Sequence, residues 1–394
     1  YNGPIGIILS AQHHGLESAA GPQSLCAGCN ACETICPAGI PLPRMIMGVR
    51  QRWVAQEGMP WVKRTALGTF ADRRSFEGWM GIARLLQSPF KGNDGFLSVP
   101  FSPDFRSLPA LPRQTAHQRM KRRSPEPAVA KLAGSGIEGK QVDLFPGCIS
   151  NLFYPEMGEA MASVVEALGG SVSFPQEQWC CGLAVLNAGD REGAKPLARQ
   201  TIEMIEHCGG DQVLSGSASC VVAVQQDYLE LFKDDPEWLA RAEAAGRRLV
   251  DFTTFIDRSG GPLSSQGESR GTGATATYHD SCQSFNCLGL RDEGRAALRG
   301  LAGVEIAEMG ESSVCCGFGG SFSVDHPEVA ERVLNRKLKN IDASGAAQVV
   351  TDNPGCIMHL RGGLDARSKR DATAPNPRVR HLAEVLAEAL RAGE

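Results

Sequence analysis

The sequence has little that would take the protein to a membrane or a nucleic acid. Its 394 residues carry a formal net charge of −4, so no basic excess draws the chain to a polyanion. The longest apolar runs are short, as at Cys220–Val224, whereas a membrane-spanning helix needs about 20 apolar residues. No secretory signal is visible at the start. The composition, 42% hydrophobic and 21% charged, is typical of a globular protein with two or three domains.

Cofactor fingerprints for a flavin or a nicotinamide are also missing. The run Gly317-Phe318-Gly319-Gly320 lacks the following Lys-Ser/Thr pair of a phosphate-binding loop. Cysteine, by contrast, is abundant. Most of the fourteen cysteines fall into three patterned groups whose spacing suits metal clusters better than disulfides. We therefore expect a reducing compartment, most simply the cytoplasm.

The first cysteine group has the spacing of bacterial ferredoxins. It consists of Cys26, Cys29, Cys32 and Cys36 and is followed by Pro37. Three thiolates on one tight loop can reach three irons of a [4Fe–4S] cluster, and the cysteine next to proline usually binds the other cluster of a pair. The sequence has no second Cys-x₂-Cys-x₂-Cys run, so we expect that motif upstream of Tyr1 or on another polypeptide. Without it the cluster would be labile. The alternative is a zinc site.

The other two groups belong to an internal repeat. Each copy has a single cysteine, then Cys-Cys-Gly, then a further cysteine. The two sets are Cys148, Cys180, Cys181 and Cys220, then Cys282, Cys315, Cys316 and Cys356, at offsets of 134, 135, 135 and 136 residues. Adjacent cysteines make a poor disulfide but can bind neighbouring irons, and Gly182 and Gly317 let the backbone turn close to a cluster. We expect each set to bind an Fe–S cluster of undetermined type or another metal.

Alternating strand and helix patterns predict an α/β fold. The predicted order is a small α-helical ferredoxin-like Fe–S segment followed by two repeated α/β Cys-Cys-Gly domains with mostly parallel sheets. The predicted units are residues 1–56 (ferredoxin-type 4Fe-4S segment), 57–139 (helical region and linker), 140–257 and 274–394 (the two domains). Pro100 to Lys140 is predicted to be a linker, with the basic run 117–123 as a solvated part of it or a docking patch. Ser259 to Gly273 is predicted to link the copies.

Four further residues were candidates for a role near the metal. His359, three residues after Cys356, is the better candidate for a site role. His279, which precedes Cys282, is a weaker candidate for a hydrogen bond to a cluster sulfur. Cys287 is either an extra ligand or a buried thiol. Cys208, near a helix end, is expected to be structural.

These motifs resemble the cysteine-rich Cys-Cys-Gly domain family, which includes the catalytic B subunit of heterodisulfide reductase and the glycolate oxidase iron–sulfur subunit. The matching stretches are Phe145-Pro146-Gly147-Cys148, Trp179-Cys180-Cys181-Gly182, Cys315-Cys316-Gly317-Phe318-Gly319-Gly320 and Asn353-Pro354-Gly355-Cys356. Residues 140–394 are similar to the lactate utilisation protein A family. Residues 1–55 are similar to the later part of lactate utilisation protein B, through Gly3-Pro4-Ile5-Gly6 and the ferredoxin run. The chain thus resembles a fusion of the two.

The resemblance implies an iron–sulfur electron-transfer component of an L-lactate-oxidising complex, which converts lactate to pyruvate and passes electrons to a quinone or another carrier. It implies partner subunits, one of which could supply the missing ferredoxin motif, and a cytoplasmic location with peripheral attachment at the inner membrane face as an alternative. A glycolate oxidase iron–sulfur subunit, a heterodisulfide reductase-like disulfide reductase and a zinc-loaded structural module remain alternatives. Heterodisulfide reductase subunits end each motif with Cys-x-x-Cys and hold a non-cubane cluster with five cysteines. Ala223 and His359 stand at that last position here, which weakens this alternative and leaves the cluster type open.

Overall fold

The computed structural model describes residues 3–92, 94–98, 104–123, 135–259 and 275–392. The predicted linker between the two repeats lies outside these residues except for Ser259. Within them, no helix combines the length and the apolar content that crossing a membrane requires.

The N-terminal segment is a small helical unit. Its helices are α1 (Gly3–His13), α2 (Leu16–Ser24), α3 (Ala31–Thr34) and α4 (Leu42–Glu57). Apolar side chains of α1, α2 and α4, among them Ile8, Ala19 and Ile46, form a core of their own, and Cys26 and Cys32 pack against it. The cysteine loop between α2 and α4 is therefore supported by a small hydrophobic core.

The next region packs on the domains that follow it. It contains α5 (Trp61–Gly68), α6 (Arg73–Leu86), the antiparallel pair β1 (Phe96–Leu97) and β2 (Leu108–Pro109), and α7 (Ala116–Met120). Phe105, Arg106 and Ala116 are buried. The prediction of a solvated linker is therefore wrong for residues 104–123. Apolar and charged side chains of this segment contact the folded domains.

The basic run of that region is a docked helix. Thr115 caps α7 through a reciprocal pair of hydrogen bonds with Gln118, a capping box that starts a helix even in a short segment. Arg119 and Arg123 pair with Glu159 and Glu166 at 2.9 and 2.6 Å. Two basic side chains of the run are thus paired within the fold, whereas Lys121 and Arg122 are exposed.

The first α/β domain has a four-stranded parallel sheet in the order β4-β3-β5-β6. Its elements are β3 (Gln141–Leu144), α8 (Gly147–Phe153), α9 (Pro155–Ala167), β4 (Ser171–Ser173), α10 (Leu183–Asn187), α11 (Arg191–His207), β5 (Gln212–Ser215), α12 (Ala218–Val222), α13 (Tyr228–Leu231), α14 (Pro236–Arg248), β6 (Leu249–Asp251) and α15 (Phe252–Arg258). A π-helical turn, Ala223–Asp227, joins α12 to α13.

The second domain repeats this topology with the parallel order β8-β7-β9-β10. Its elements are β7 (Thr275–Tyr278), α16 (Glu293–Ala302), β8 (Glu305–Ile306), α17 (Phe322–Asp325), α18 (Pro327–Ser344), β9 (Gln348–Thr351), α19 (Pro354–Arg370), β10 (Arg378–His381) and α20 (Leu382–Ala392). A π-helical turn, Ser284–Leu288, follows β7. The predicted α/β fold, a helical cysteine-containing segment followed by two repeats with parallel sheets, is confirmed.

The central strands explain why the repeats fold as parallel sheets. Val213 and Leu214 of β5, like Val349 and Val350 of β9, are fully buried, as expected for strands covered by helices on both faces. Helix α20 packs against α9 and α16, so the two domains share one hydrophobic core. In both domains a loop or helix that carries cysteines follows the carboxyl end of a strand, where ligands of such sheets bind.

Truncation of a central core side chain should destabilise the protein strongly. We expect Leu214→Ala to lower the free energy of unfolding by about 2–5 kcal/mol, because it removes packed methyl groups and leaves a cavity. Leu86→Ala is the matched control, since Leu86 is 66% exposed and its loss should change stability by less than about 0.5 kcal/mol. Urea denaturation under reducing conditions measures both values, and equal losses would contradict the assignment of β5 to the core.

Candidate metal centres

All fourteen cysteines lie in the described part of the chain, and each is a free thiol. The prediction that they are not paired as disulfides therefore agrees with the structure. We call Cys148, Cys180, Cys181 and Cys220 the first thiol set, and Cys282, Cys315, Cys316 and Cys356 the second.

The fold brings the first thiol set together from three separate segments. Cys148 lies in the first turn of α8, directly after β3; Cys180 and Cys181 precede α10; and Cys220 lies in α12, after β5. The sulfurs of Cys181 and Cys220 are 3.4 Å apart, and hydrogen bonds join Cys180 to both Cys148 and Cys181. Three loops at one edge of the sheet thus present four thiols to one place.

Burial and mutual contact decide which of these thiols ionises most easily. Hydrogen bonding with Cys148 and Cys181, together with burial, raises the pKa of Cys180 well above its usual value. The pKa of Cys220 is raised by its hydrogen bond with Cys181 and by burial. Hydrogen bonds from Cys180 and Cys220 lower the pKa of Cys181. Cys181 is therefore the first thiolate of this set, and a bound cation would be needed to stabilise several thiolates at once.

The second thiol set has the same arrangement. Cys282 follows β7, Cys315 and Cys316 precede α17, and Cys356 lies in α19 after β9. Hydrogen bonds link Cys282 to Cys315 and link Cys316 to both Cys315 and Cys356. The hydrogen bond with Cys315, and then burial, raises the pKa of Cys282.

Gly182 and Gly317 shape the two Cys-Cys-Gly turns. Their φ angles are 77° and 96°, in the region that favours glycine. A Cβ on Gly182 would lie 3.0 Å from Leu197 Cβ, and one on Gly317 would lie 3.0 Å from the Ala330 carbonyl oxygen. Each glycine N–H lies 3.4 Å from the sulfur two residues before it, that of Cys180 or Cys315. These residues, predicted to bind a cofactor, thus turn the backbone and donate toward a sulfur.

Both thiol sets line one cleft, which we call the shared cleft. All eight cysteines of the two sets contribute to its wall. Ile149, Leu183 and Phe318 add apolar surface. The carboxyl ends of the two sheets therefore face a common space.

Lys337 lies beside the second thiol set. Its side chain is 1% exposed, and its ammonium donates to the carbonyls of Glu311 and Ser312 at 2.5 and 3.1 Å. Burial lowers the pKa of Lys337, and the charges of Cys316 and Cys356 oppose that shift. The second set therefore has a cationic neighbour.

The two candidate histidines occupy different surroundings. A ring nitrogen of His279 lies within 4.8 Å of the sulfurs of Cys316 and Cys356. His359 is also buried, but its Nδ1 lies 3.0 Å from the Arg106 guanidinium, and burial followed by the Arg106 charge lowers its pKa to about 3. Neither histidine is in the wall of the shared cleft, so the difference between them lies in their neighbours. The structure thus brings His279 to the thiols and directs His359, the favoured candidate, toward Arg106.

Among the N-terminal cysteines, Cys36 differs in its surroundings from Cys26, Cys29 and Cys32. Burial, followed by the charges of Cys26 and Cys29, raises the pKa of Cys32. Backbone N–H groups, first that of Ile40, lower the pKa of Cys36. Cys36 follows α3, and no other thiol is among the groups that shift its pKa.

The N-terminal cysteine loop docks on the second domain. Gln283 Nε2 donates to the Gly28 carbonyl and Asn286 Nδ2 donates to the Cys29 carbonyl, both at 2.8 Å. The charges of Cys29 and Cys282 also interact. The N-terminal thiols therefore lie next to the second thiol set.

The two remaining cysteines have protein partners. Cys287 Sγ accepts a hydrogen bond from Asn30 Nδ2 at 2.8 Å and lies 3.4 Å from the Gln283 side-chain oxygen, so it helps to hold the N-terminal loop. Cys208 packs against Met204 with 3.8 Å between the sulfurs, and burial raises its pKa to about 12. Both placements are those of structural thiols.

Sequence reasoning missed Lys337 and the docking amides. Lys337 carried a usable signal, because it stands on the apolar face of α18 with the buried Leu334 and Ile341, where a charged residue needs a partner. The docking amides follow Cys282 in a segment without regular periodicity, so no local pattern distinguished them.

Comparison with known proteins agrees with this architecture. A family model named CCG, cysteine-rich domain, matches residues 142–225 and 276–361. Lactate utilization protein A 2 of Bacillus cereus (strain Q1) is 33% identical over 250 residues, which cover 64% of this chain and 99% of that protein. Lactate utilization protein A of Shouchella clausii (strain KSM-K16) is 35% identical over 245 residues, 62% of this chain and 98% of that protein. A hypothetical protein from Helicobacter pylori gives a TM-score of 0.49 at 9% identity, covering 89% of this chain and 58% of that one.

A methyl group at the glycine of the first Cys-Cys-Gly turn should destabilise the protein in two ways, through backbone strain and through steric crowding. We expect Gly182→Ala to lower the free energy of unfolding by about 2–3 kcal/mol, because it adds crowding against Leu197 to the strain of a positive φ. Gly345→Ala is the control, since Gly345 has a φ of 66° with nothing near its missing Cβ, and about 1 kcal/mol is expected there. Urea denaturation of metal-free protein measures both, and a Gly182→Ala loss no larger than the control would contradict this account of the turn.

Proposed function

Since the chain belongs to the CCG cysteine-rich domain family as a relative of lactate utilization protein A, we propose that it is an Fe–S electron-transfer component of an L-lactate-oxidising complex. The two thiol sets would each hold a metal cluster, and Cys26, Cys29 and Cys32 would hold a ferredoxin-type [4Fe–4S] cluster. Cys36 would bind the other cluster of that pair. Residues 1–55 would have the role of the ferredoxin part of lactate utilisation protein B.

One observation carries the proposal: eight thiols from two repeats line a single cleft. Thiolates are soft ligands that suit Fe–S clusters and zinc. Burying so many thiols together is unfavourable for their ionisation, as the raised pKa values of Cys180, Cys220 and Cys282 show, and a cationic metal core would offset this. When bound, Fe–S clusters accept and release single electrons.

The protein groups around the thiols would adjust the reduction potentials of the clusters. The N–H groups of Gly182 and Gly317 point at cysteine sulfurs, and hydrogen bonds to sulfur help to set reduction potentials. Burial of the thiols would keep water from the clusters, and Lys337 would favour the more negative, reduced state of the second centre.

The docking of the N-terminal loop suggests an order for the centres. Cys29 lies close enough to Cys282 and Cys315 for their charges to affect each other's pKa. The N-terminal centre would therefore exchange electrons with the second repeat. The first repeat would communicate across the shared cleft. Electrons would thus enter or leave through the N-terminal segment.

The reaction needs partners that this chain does not supply. Oxidation of L-lactate to pyruvate releases two electrons and two protons, and the clusters would pass the electrons one at a time to a quinone or another carrier. Other subunits of the complex would bind lactate, and the second ferredoxin motif would come from one of them or from chain upstream of Tyr1. Reduced thiols favour a cytoplasmic location, and peripheral attachment at the inner membrane face would give access to a quinone.

Metal content and lactate-dependent reduction test this function. We expect anaerobically purified protein to contain iron and sulfide, and its visible absorbance to bleach when the assembled complex receives L-lactate, because reduced Fe–S clusters absorb less. Glycolate is the control substrate and should bleach the complex more slowly. Zinc without iron or sulfide would contradict the proposal and favour a structural zinc module.

The disulfide reductase alternative has its own signature. It predicts that a thiol-treated, oxidised sample gives a new electron paramagnetic resonance signal from a cluster with bound substrate sulfur. On the proposed function, thiol treatment leaves the spectrum unchanged.

Loss of one cysteine of the first thiol set should remove one centre. We expect Cys181→Ser to lose roughly a third of the iron if the three centres hold similar amounts, because a serine oxygen is a poor ligand for these soft sites. Cys208→Ser is the matched control: this thiol is buried against Met204 and should retain all the iron. Iron and sulfide per chain are the measurements, and equal iron in both variants would contradict the assignment of Cys181.

A further inference from the structure

We propose that His279 supplies a nitrogen ligand, through Nε2, to the metal centre of the second repeat. That centre would then have a mixed thiolate–imidazole ligand set, whereas the centre of the first repeat would be held by thiolates. The inference rests on the proposed function, because it requires that the second thiol set binds metal.

The fold places a ring nitrogen of His279 close to two thiols of the second set. One of its ring nitrogens and the sulfurs of Cys316 and Cys356 all lie within 4.8 Å of one another. The side chain is fully buried, because His279 follows β7 directly and its backbone N–H continues the ladder to Val350 on β9. Three donor atoms of the kind that bind zinc and iron are thus held together by two neighbouring strands and the Cys-Cys-Gly turn.

The hydrogen bonds of the ring leave one nitrogen available. Nδ1 lies 3.1 Å from the Ser312 carbonyl oxygen, which can only accept, so Nδ1 carries the proton. Nε2 is buried and has no hydrogen-bond partner among the described residues. In a neutral ring this nitrogen has a free lone pair. Metal-binding histidines usually donate their other N–H to a carbonyl or carboxylate in this manner.

Lys337 supports this orientation of the His279 imidazole. Its ammonium donates to the same Ser312 carbonyl, so it holds the acceptor that orients the imidazole. The ring is therefore held with Nδ1 toward Ser312, and Nε2 is the nitrogen left for a metal.

A buried histidine with only a packing role has different contacts in the same protein. His381 is as buried as His279, but its Nε2 bonds the Gly216 carbonyl at 2.9 Å and its Nδ1 accepts from the Ala383 N–H at 3.1 Å. Both nitrogens of His381 are satisfied by backbone. An unsatisfied buried nitrogen such as Nε2 of His279 is unfavourable unless something binds it.

The two repeats differ at this position. His279 stands three residues before Cys282, and Phe145 stands three residues before Cys148. Lys337 likewise corresponds to Ile202 at the offset that relates the two Cys-Cys-Gly motifs. Phe145 and Ile202 are fully buried, so the first repeat has hydrocarbon where the second has a nitrogen donor and its orienting cation. The duplication therefore yields two inequivalent centres.

Nitrogen hyperfine spectroscopy on the intact protein tests the proposal. Only histidine is labelled with ¹⁵N, so that backbone nitrogens near the sulfurs do not contribute to the isotope difference. Pulsed electron paramagnetic resonance of the reduced protein should show a nitrogen coupling that changes with the label. The coupling should be lost in His279→Phe, which copies the side chain of the first repeat, and retained in His381→Gln.

The result from the unmutated protein stands even if a variant fails to fold. Iron and sulfide with no histidine coupling, or a coupling that survives in folded His279→Phe, would overturn the nitrogen ligand and leave the proposed function standing. Absence of iron and sulfide would overturn both. A second readout is the midpoint potential: replacing a neutral imidazole by a thiolate in His279→Cys should shift it to a more negative value, and an unchanged potential would count against ligation.

Discussion

The structure depends on bringing four cysteine sulfurs together in each repeat. Mutual contact and burial raise the pKa of several of these thiols, among them Cys180, Cys220 and Cys282, so a site that holds several thiolates at once needs a bound cation. The fold supplies each set from three loops at the carboxyl edge of a parallel sheet. Strand β5 or β9, buried on both faces, positions the last cysteine, and a glycine with positive φ positions the adjacent pair. Buried strands and two glycine turns thus determine where the thiols meet.

Much of the architecture was predictable from the sequence because it follows from periodic patterns. The constant offset between the two cysteine sets indicated the duplication, and the apolar runs at β3, β5, β7 and β9 indicated parallel strands. Two of the four edge strands, β6 and β10, were missed. Leu249–Asp251 follows α14 without a break, and Arg378–His381 has a single apolar residue, Val379, between two arginines.

The site was predictable to the extent that it is local in sequence. Cysteine spacing identified the thiols, but the choice between His279 and His359 depended on direction in space. His359 is close to Cys356 along the chain, yet helix α19 directs its ring between Phe105 and Phe318. His279 reaches the same cysteine from another strand. Residues 104–123 were misjudged for a similar reason, because their basic side chains pair with α9, whose position the local composition does not reveal.

Helix α20 has a further consequence for the cleft. Leu386 and Leu390 of this helix pack in one core with Val164 of the first domain and Leu298 of the second. One helix thus joins the cores of both domains. A change in the distance between the two thiol sets that moved the domains apart would have to break this shared hydrophobic packing, so the cost of opening the cleft includes exposure of these leucines to water.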